Sequence, residues 1–230
     1  MPHKSLAPNA RLQALQHALR AAADPANAIP MRAYMLNQFA FLGIRATPRR
    51  DAVKQWVRGP FTQEELLWLA CALWDLPERE FHYTAVDLLA RHHKKLTVEA
   101  LPGIVALVQR NAWWDSVDGL AGVAGDILLA ARSTQPTIQT IADTWLVHEN
   151  LWVRRLAMLH QLGWKERTDA ARLMRYALAL GEEKDFFIRK AIGWALRDYA
   201  RTAPDAVQTF LKENVGRLSG LTLREAGKHL

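Results

Sequence analysis

Nine tryptophans occur in the 230-residue chain, and some of them lie near charged side chains that could support chemistry. Trp114 and Asp118 are spaced i and i+4, so in a helix they would share one face. Further along the chain come Arg155 and then Lys190, which precedes Trp194 by one helical turn. Indole faces and a carboxylate both attract positive charge, so residues of these types could stabilise a cationic centre if the fold brings them together.

The same stretches also have structural interpretations. Trp113 and Trp152 are interpreted as core anchors because long apolar residues surround them, and Asp115 as an acceptor at a helix start. Asp118 differs, because a carboxylate among tryptophans is unfavourable unless it is paired. On these residues alone, a functional and a structural role for Asp118 both stay open.

Helices are the elements that must position these side chains. Apolar residues recur every three or four positions through most of the chain, as in Leu66, Leu69, Ala70 and Leu73. No segment shows the sustained alternation of a strand, so essentially no sheet is predicted. Proline and glycine breaks, Pro30 among them, indicate about a dozen helices with short connections, and consecutive helices are expected to pack antiparallel.

Four of the predicted helices begin with comparable patterns at intervals of about 36 residues, at Phe81, Val117, Val153 and Ile188. A near-constant period with two helices per unit is typical of repeats that bury a shared core by stacking. The predicted fold class is therefore all-α, a HEAT-like or armadillo-like α-solenoid of antiparallel helix pairs. Chance similarity among amphipathic helices is the alternative.

Equivalent positions of stacked repeats would line one concave face, and basic residues recur there at Arg154, Arg155, Arg189 and Lys190. Duplex DNA carries one negative charge per roughly 1.7 Å of helix axis, so such a row could follow its backbone. A solvated basic face is the alternative interpretation. The formal net charge of +7 also favours a polyanionic partner.

Composition excludes several other classes of protein. Half of the residues are hydrophobic and 23% are charged, which is typical of a globular chain, interpreted here as a single domain over residues 1–230. No apolar run is long enough for a membrane helix, and the start up to Ala10 shows no secretory signal. The single cysteine, Cys71, cannot form an intramolecular disulfide. A cytoplasmic protein is expected, associated with the nucleoid when it is bound to DNA.

Motifs for metals and cofactors are missing from the sequence. The eight histidines include the contiguous pair His92 and His93 but no His-Glu-x-x-His, so no metal is expected. No phosphate-cradling glycine loop occurs, and no cofactor is expected. Leu101-Pro102-Gly103 is similar to the opening of a helix-hairpin-helix DNA motif but lacks its second glycine, and is interpreted as a helix start.

Longer motifs occur in order along nearly the whole chain. They are Pro30-Met31-Arg32-Ala33-Tyr34-Met35, Phe41-Leu42-Gly43-Ile44, Leu73-Trp74-Asp75-Leu76-Pro77-Glu78-Arg79-Glu80-Phe81, Trp113-Trp114-Asp115-Ser116-Val117-Asp118, Phe187-Ile188-Arg189-Lys190-Ala191-Ile192-Gly193-Trp194 and Leu223-Arg224-Glu225-Ala226. In length and order these motifs closely resemble the AlkD family of alkylpurine DNA glycosylases.

This resemblance implies a HEAT-like superhelix whose concave cleft holds duplex DNA containing alkylated purines. It implies hydrolysis of the glycosidic bond of cationic lesions such as 3-methyladenine and 7-methylguanine, by a monofunctional, monomeric enzyme without lyase activity. Carried over by position, Trp114 and Trp194 would flank the lesion nucleotide and Asp118 would serve the reaction centre. Arg155 would contact the DNA backbone, and Tyr34 would close part of the cleft.

The resemblance further implies a shallow cleft that contacts the sugar and phosphates of the lesion and leaves its base unread. Bulky cationic adducts would then be tolerated, and neutral lesions would be poor substrates. Two alternatives belong to other functional classes. One is a noncatalytic protein that binds bent or branched DNA through the same basic groove, and the other is a peptide-binding helical scaffold.

Overall fold

The computed structural model describes residues 7–230, and within that range the chain is built of helices and turns. These residues form thirteen α-helices and no strand, apart from one isolated bridge between Ala40 and Glu78. The all-α prediction is confirmed. Most of the segment expected to lack a secretory signal, residues 1–6, lies outside the described residues.

The chain divides into two compact units, one up to Gly103 and one from Ile104 onward. The helices of the first unit are α1 Pro8–Ala21, α2 Pro25–Tyr34, α3 Ala46–Val53, α4 Gln63–Trp74 and α5 Arg79–Arg91, and α6 Leu101–Val108 begins at the boundary. Those of the second are α7 Trp114–Ala131, α8 Thr140–Leu146, α9 Leu151–Leu159, α10 Ala170–Ala179, α11 Phe186–Ala200, α12 Pro204–Glu213 and α13 Gly220–Ala226. A single domain over residues 1–230 stays a prediction.

Every second helix of the second unit packs on the next. Helix α7 packs on α9, α9 on α11 and α11 on α13. The helices between them also contact this row, α8 and α10 packing against α9 and α12 against α11. The predicted repeat starts fall in the first turns of α5, α7, α9 and α11. This arrangement agrees with the predicted helix repeats, whose shared core is formed by stacking.

Close approach of α11 and α13 depends on a glycine. A Cβ atom at Gly193 would lie 2.5 Å from the Cβ atom of Glu225, which is closer than side-chain atoms pack. The start of α11 is fixed by Asp185, whose carboxylate accepts hydrogen bonds from the backbone N–H groups of Phe187 and Ile188. Together these features set Trp194, the residue after the glycine, against α13.

In the first unit, a buried carboxylate orders the segment that follows α2. Glu80, on α5, accepts hydrogen bonds from the backbone N–H groups of Leu42, Gly43 and Ile44. Gly43 has a φ of 89°, and a Cβ there would overlap the backbone carbonyl of Asp24. Helix α4 starts with a capping box between Thr62 and Glu65 and packs against α5.

The predicted break at Pro30 is wrong, because Pro30 lies inside α2. Proline there removes one backbone hydrogen bond, yet the helix continues to Tyr34. Its start is held by Asp24, whose side chain accepts from the N–H groups of Ala26 and Asn27. Leu101, by contrast, begins α6 as predicted. Across residues 7–230, no α-helix combines the length and apolarity that a membrane crossing requires.

Candidate active site

Asp118 and Arg155 form a bidentate ion pair between α7 and α9. The Nε atom of Arg155 lies 2.7 Å from Oδ1 of Asp118, and its Nη2 atom lies 2.8 Å from Oδ2. Nη1 of Arg155 also donates to the backbone carbonyl of Phe187 on α11. Arg155 is buried, at 1% side-chain exposure, whereas Asp118 keeps 23% exposure. The arginine therefore ties three stacked helices together and leaves the carboxylate partly open to solvent.

Burial raises the pKa of the Asp118 carboxyl above its ordinary value. The hydrogen bonds and the charge of Arg155 act in the opposite direction, and the charge of Asp115 adds to the rise. Because a guanidinium stays protonated, its two-pronged contact supports the ionised carboxylate in a setting that would otherwise favour the neutral acid.

Trp194 forms an aromatic surface beside this ion pair. The guanidinium carbon of Arg155 lies 5.3 Å from the centre of the Trp194 ring, and the amino group of Lys190 lies 5.5 Å from it. The indole is half-buried, and its Nε1 donates to Glu225 over 3.2 Å. Both cations lie within the distance of about 6 Å at which a cation and an indole face attract each other.

Glu225, on α13, fixes the orientation of this aromatic surface. Besides the indole, its carboxylate contacts Lys190 at 2.9 Å, Lys228 at 2.8 Å and Arg197 at 3.3 Å. Hydrogen bonds from Lys228 and Lys190 lower the pKa of Glu225 to about 2. Glu225 was not predicted as a site residue, although it lies in the Leu223–Ala226 motif, one of those that resemble the AlkD family. Glu225 lies opposite Gly193, where α11 and α13 approach closely.

The remaining tryptophans of this region separate into two groups. Trp114 is the first residue of α7, half-buried, and lies one helical turn before Asp118. Trp113 instead packs with Trp152 and Phe187, with ring centres 5.6 and 4.9 Å away. Trp113 and Trp152 are half-buried and form the edge of an aromatic cluster.

Arg154, predicted to bind DNA, is held by the protein. Its guanidinium contacts the carboxylate of Glu183 at 2.6 and 3.0 Å and the backbone carbonyls of His148 and Glu149. Lys190 is similarly engaged with Glu225. Tyr34 lies in the first unit, at the end of α2, and is 71% exposed. The predicted roles of these residues stay predictions.

A model of the family described as "DNA alkylation repair enzyme" matches residues 15–230. The chain belongs to this family. Among solved structures, it is similar to a predicted DNA alkylation repair enzyme from Enterococcus faecalis, with 35% identity and a TM-score of 0.82. That match covers 90% of this chain and 96% of the other. The resemblance to AlkD-like proteins is therefore confirmed.

Two more distant structures share the fold of this DNA alkylation repair family member. AlkD2 from Streptococcus mutans is 23% identical with a TM-score of 0.59, and the match covers 79% of this chain and 87% of AlkD2. The protein smu.31 from Streptococcus mutans UA159 is 22% identical with the same TM-score, covering 79% and 90%. The AlkD-like, all-helical solenoid class is thereby shown. Comparison with curated proteins gave no match.

In this family member, the structure joins three of the predicted catalytic residues directly. Asp118 contacts Arg155, and Arg155 contacts Trp194. Trp114 lies on the same helix as Asp118, one turn away. Within residues 7–230, no group of three or more His, Cys, Asp or Glu side chains is arranged to hold a metal ion.

Proposed function

We propose that this protein is a monofunctional DNA glycosylase of base excision repair. It hydrolyses the N-glycosidic bond of cationic alkylated purines, such as 3-methyladenine and 7-methylguanine, in duplex DNA. It works without a cofactor, as a cytoplasmic monomer. The observation that carries the proposal is the state of Asp118, a partly exposed carboxylate that, among the described residues, accepts hydrogen bonds from Arg155 alone.

Two hydrogen bonds leave acceptor capacity on this carboxylate. An ionised carboxylate offers about four lone-pair positions, and Arg155 occupies two of them. The others can accept a hydrogen bond from a water molecule. Asp118 can therefore orient a nucleophilic water while its negative charge stabilises positive charge that develops on the deoxyribose.

The charge of the lesion explains why one carboxylate suffices. Glycoside hydrolysis commonly uses a second, protonated carboxyl group to assist the leaving group. A purine alkylated at N3 or N7 already carries positive charge, so its bond to the sugar is weakened without protonation by the protein. The indole faces of Trp114 and Trp194 can add cation–π attraction, about 0.5 to 2 kcal/mol each.

Release of free bases from methylated duplex DNA tests this function. The wild-type protein is expected to release 3-methyladenine and 7-methylguanine, and D118N to release them at least about 100-fold more slowly, as when a preorganised electrostatic contact is lost. The matched control is D143N, the same change in a second Asp–Arg pair of the second unit, and its rate of release should equal that of the wild type.

Two outcomes would contradict the proposal. If wild type and D118N released bases at the same background rate, the protein would be a noncatalytic DNA binder. Efficient release of uracil from duplex DNA would show that a neutral leaving group is accepted, which the single-carboxylate mechanism does not allow. Release of bulky cationic N3 or N7 adducts is expected, because the mechanism requires charge on the base and no contact with its edge.

A further inference from the structure

A second charged site lies in the first unit, on helices other than those that carry Asp118 and Trp194. A pocket of about 380 Å³ opens between α3, the turn that follows it, and α5. Its size falls in the range of ligand sites, about 300 to 1,000 Å³. Its charged lining consists of four cations and two carboxylates: Arg50, Lys54, Arg58, Arg91, Asp51 and Asp87.

The protein itself neutralises one of the two carboxylates. Asp87 contacts Arg49 at 2.7 Å and Arg50 at 3.0 Å, and Arg49 is buried. Burial alone would raise the pKa of Asp87, but the hydrogen bonds and charges of these two arginines lower it below its ordinary value. The carboxylate thus stays ionised and holds the guanidinium of Arg50 at the edge of the pocket.

Among the described residues, the other three cations of the pocket lack such partners. Lys54, Arg58 and Arg91 are exposed, and none of them forms an ion pair with a described carboxylate. Asp51 is then the single remaining carboxylate of the lining. The pocket therefore has an excess of positive charge around a concave surface, which is the arrangement that concentrates anions.

Positive charges near the pocket also act on a neighbouring histidine. His92, next to Arg91, contacts the backbone carbonyl of Val57 through its Nε2 atom at 2.9 Å. Burial lowers the pKa of His92, and the charges of Lys95, Arg91 and Arg11 lower it further. Because burial is the main cause of this shift, His92 supports an anion-binding role of the pocket only through the added effect of the three cations, of which Arg91 lines the pocket.

We infer that this pocket binds a backbone phosphate of duplex DNA. The inference rests on the proposed function, which makes duplex DNA the polyanion that the protein meets. Arginine forks and a lysine are the side chains that recognise phosphate oxygens. The residues lining the pocket include no aromatic side chain on which a base could stack, and this favours a phosphate within a continuous backbone over a free nucleotide.

Salt dependence of DNA binding tests this inference without reference to catalysis. Each phosphate neutralised on duplex DNA contributes about 0.9 to the slope of log K against log salt. The variant K54Q/R58Q is expected to reduce the steepness of that slope by about 1 to 2, equally on methylated and on unmodified duplex. The matched control K212Q/R217Q removes the same two charges at exposed positions of the second unit and should keep the wild-type slope.

The outcomes separate the pocket from the proposed function. An unchanged slope in K54Q/R58Q, or an equal reduction in K212Q/R217Q, would overturn the inference, even if the wild type releases methylated bases. Conversely, a wild type that releases no bases would overturn the proposed function, while a selective loss of slope in K54Q/R58Q would still support the pocket. Thermal unfolding of both variants checks that these exposed substitutions leave the fold intact.

Inorganic phosphate distinguishes a free anion from the DNA backbone. It is added to the wild type and to K54Q/R58Q, and the thermal midpoint of each is measured at constant ionic strength. If phosphate stabilises the wild type alone while the two proteins have the same DNA slope, the pocket is a site for a free anion and the inference is wrong. Selective loss of DNA slope supports it.

Discussion

Two Asp–Arg pairs of the second unit consist of the same residue types, but the pKa of one aspartate is raised and that of the other is lowered. Asp118 is bound by Arg155 alone among the described residues, and its pKa is raised because burial outweighs that partner. Asp143, on α8, accepts from Arg172 at 2.6 Å, Arg175 at 2.9 Å and the Tyr176 hydroxyl at 2.6 Å. Burial would raise its pKa too, but these hydrogen bonds together lower it.

The difference distinguishes a structural carboxylate from one that can act on a ligand. Asp143 receives three donors from three side chains of α10, two of them arginines, so its charge is offset by two cations and joins α8 to α10. Asp118 receives two donors from one side chain and keeps acceptor capacity, next to an aromatic surface. A carboxylate whose pKa is raised by burial beside a single cationic partner is a perturbed group of the kind that is concentrated at functional sites.

Removing the arginine from each pair should give the largest effect. In R155Q, Asp118 loses its single described partner, and the free energy of unfolding is expected to fall by about 3 to 5 kcal/mol. In R172Q, Asp143 retains Arg175 and Tyr176, so the loss should be about 1 to 2 kcal/mol. Urea denaturation of the two variants measures the difference.

A conservative variant sharpens this first prediction. R155K keeps the positive charge but cannot supply two parallel donors to the carboxylate, so its stability should lie between those of R155Q and the wild type. Equal losses in R155Q and R172Q would show that the two pairs are energetically equivalent, and the contrast between them would have no functional meaning.

The structural side of the comparison also contains a buried histidine that should make stability depend on pH. His160 is 1% exposed, and its ring packs 6.1 Å from that of Tyr176. Burial lowers its pKa to about 4 from 6.5, and its Nε2 atom has no hydrogen-bond partner among the described residues. Between these pH values the unfolded chain binds a proton that the folded protein excludes.

The contribution of neutral His160 to the free energy of unfolding is therefore fully present above pH 6.5 and is lost as the pH falls toward 4. The shift corresponds to about 3 kcal/mol. Denaturation of wild type and H160Q from pH 7 to pH 4 should show a loss of about that size that is specific to the wild type. H17Q, which removes an exposed histidine on α1, should follow the wild type. Parallel curves for wild type and H160Q would contradict the prediction.

Periodicity in the sequence was sufficient to predict the repeats, because stacked helices require apolar residues at helical spacing. The starts at Val117, Val153 and Ile188 lie in α7, α9 and α11 of the structure. Pro30 was assigned wrongly, since it is the sixth of the ten residues of α2 and the helix continues past it to Tyr34. Local signals of this kind fail when neighbouring contacts determine whether a helix continues.

Residue type alone could suggest the candidate site but not its partners. Spacing placed Trp114 and Asp118 on one face of a helix, and the structure joins Asp118 to Arg155 across α7 and α9. No spacing rule relates Glu225 to Trp194, because the contact between α11 and α13 depends on the close approach at Gly193. Pairings between distant helices require the packed structure.

Substitution of Glu225 should give the smallest of the expected effects, a loss of the rate of base release while the fold remains. Like Asp143 it is a carboxylate with several donors, but one donor is the indole of Trp194 and another is Lys190. In E225Q the charge that attracts Lys190, Arg197 and Lys228 is lost, and the indole should no longer hold one orientation.

Because misplacement of a positioning group by about 1 Å can reduce rates up to about 100-fold, we expect base release by E225Q to fall by about tenfold. Single-turnover release from methylated duplex DNA measures this loss, and urea denaturation checks that the fold remains. E213Q, a neutralised carboxylate at the exposed end of α12, is the matched control and should keep the wild-type rate. If E225Q lost stability but kept its rate of release, Glu225 would belong with Asp143 on the structural side of the comparison, because its donors would then serve helix packing alone.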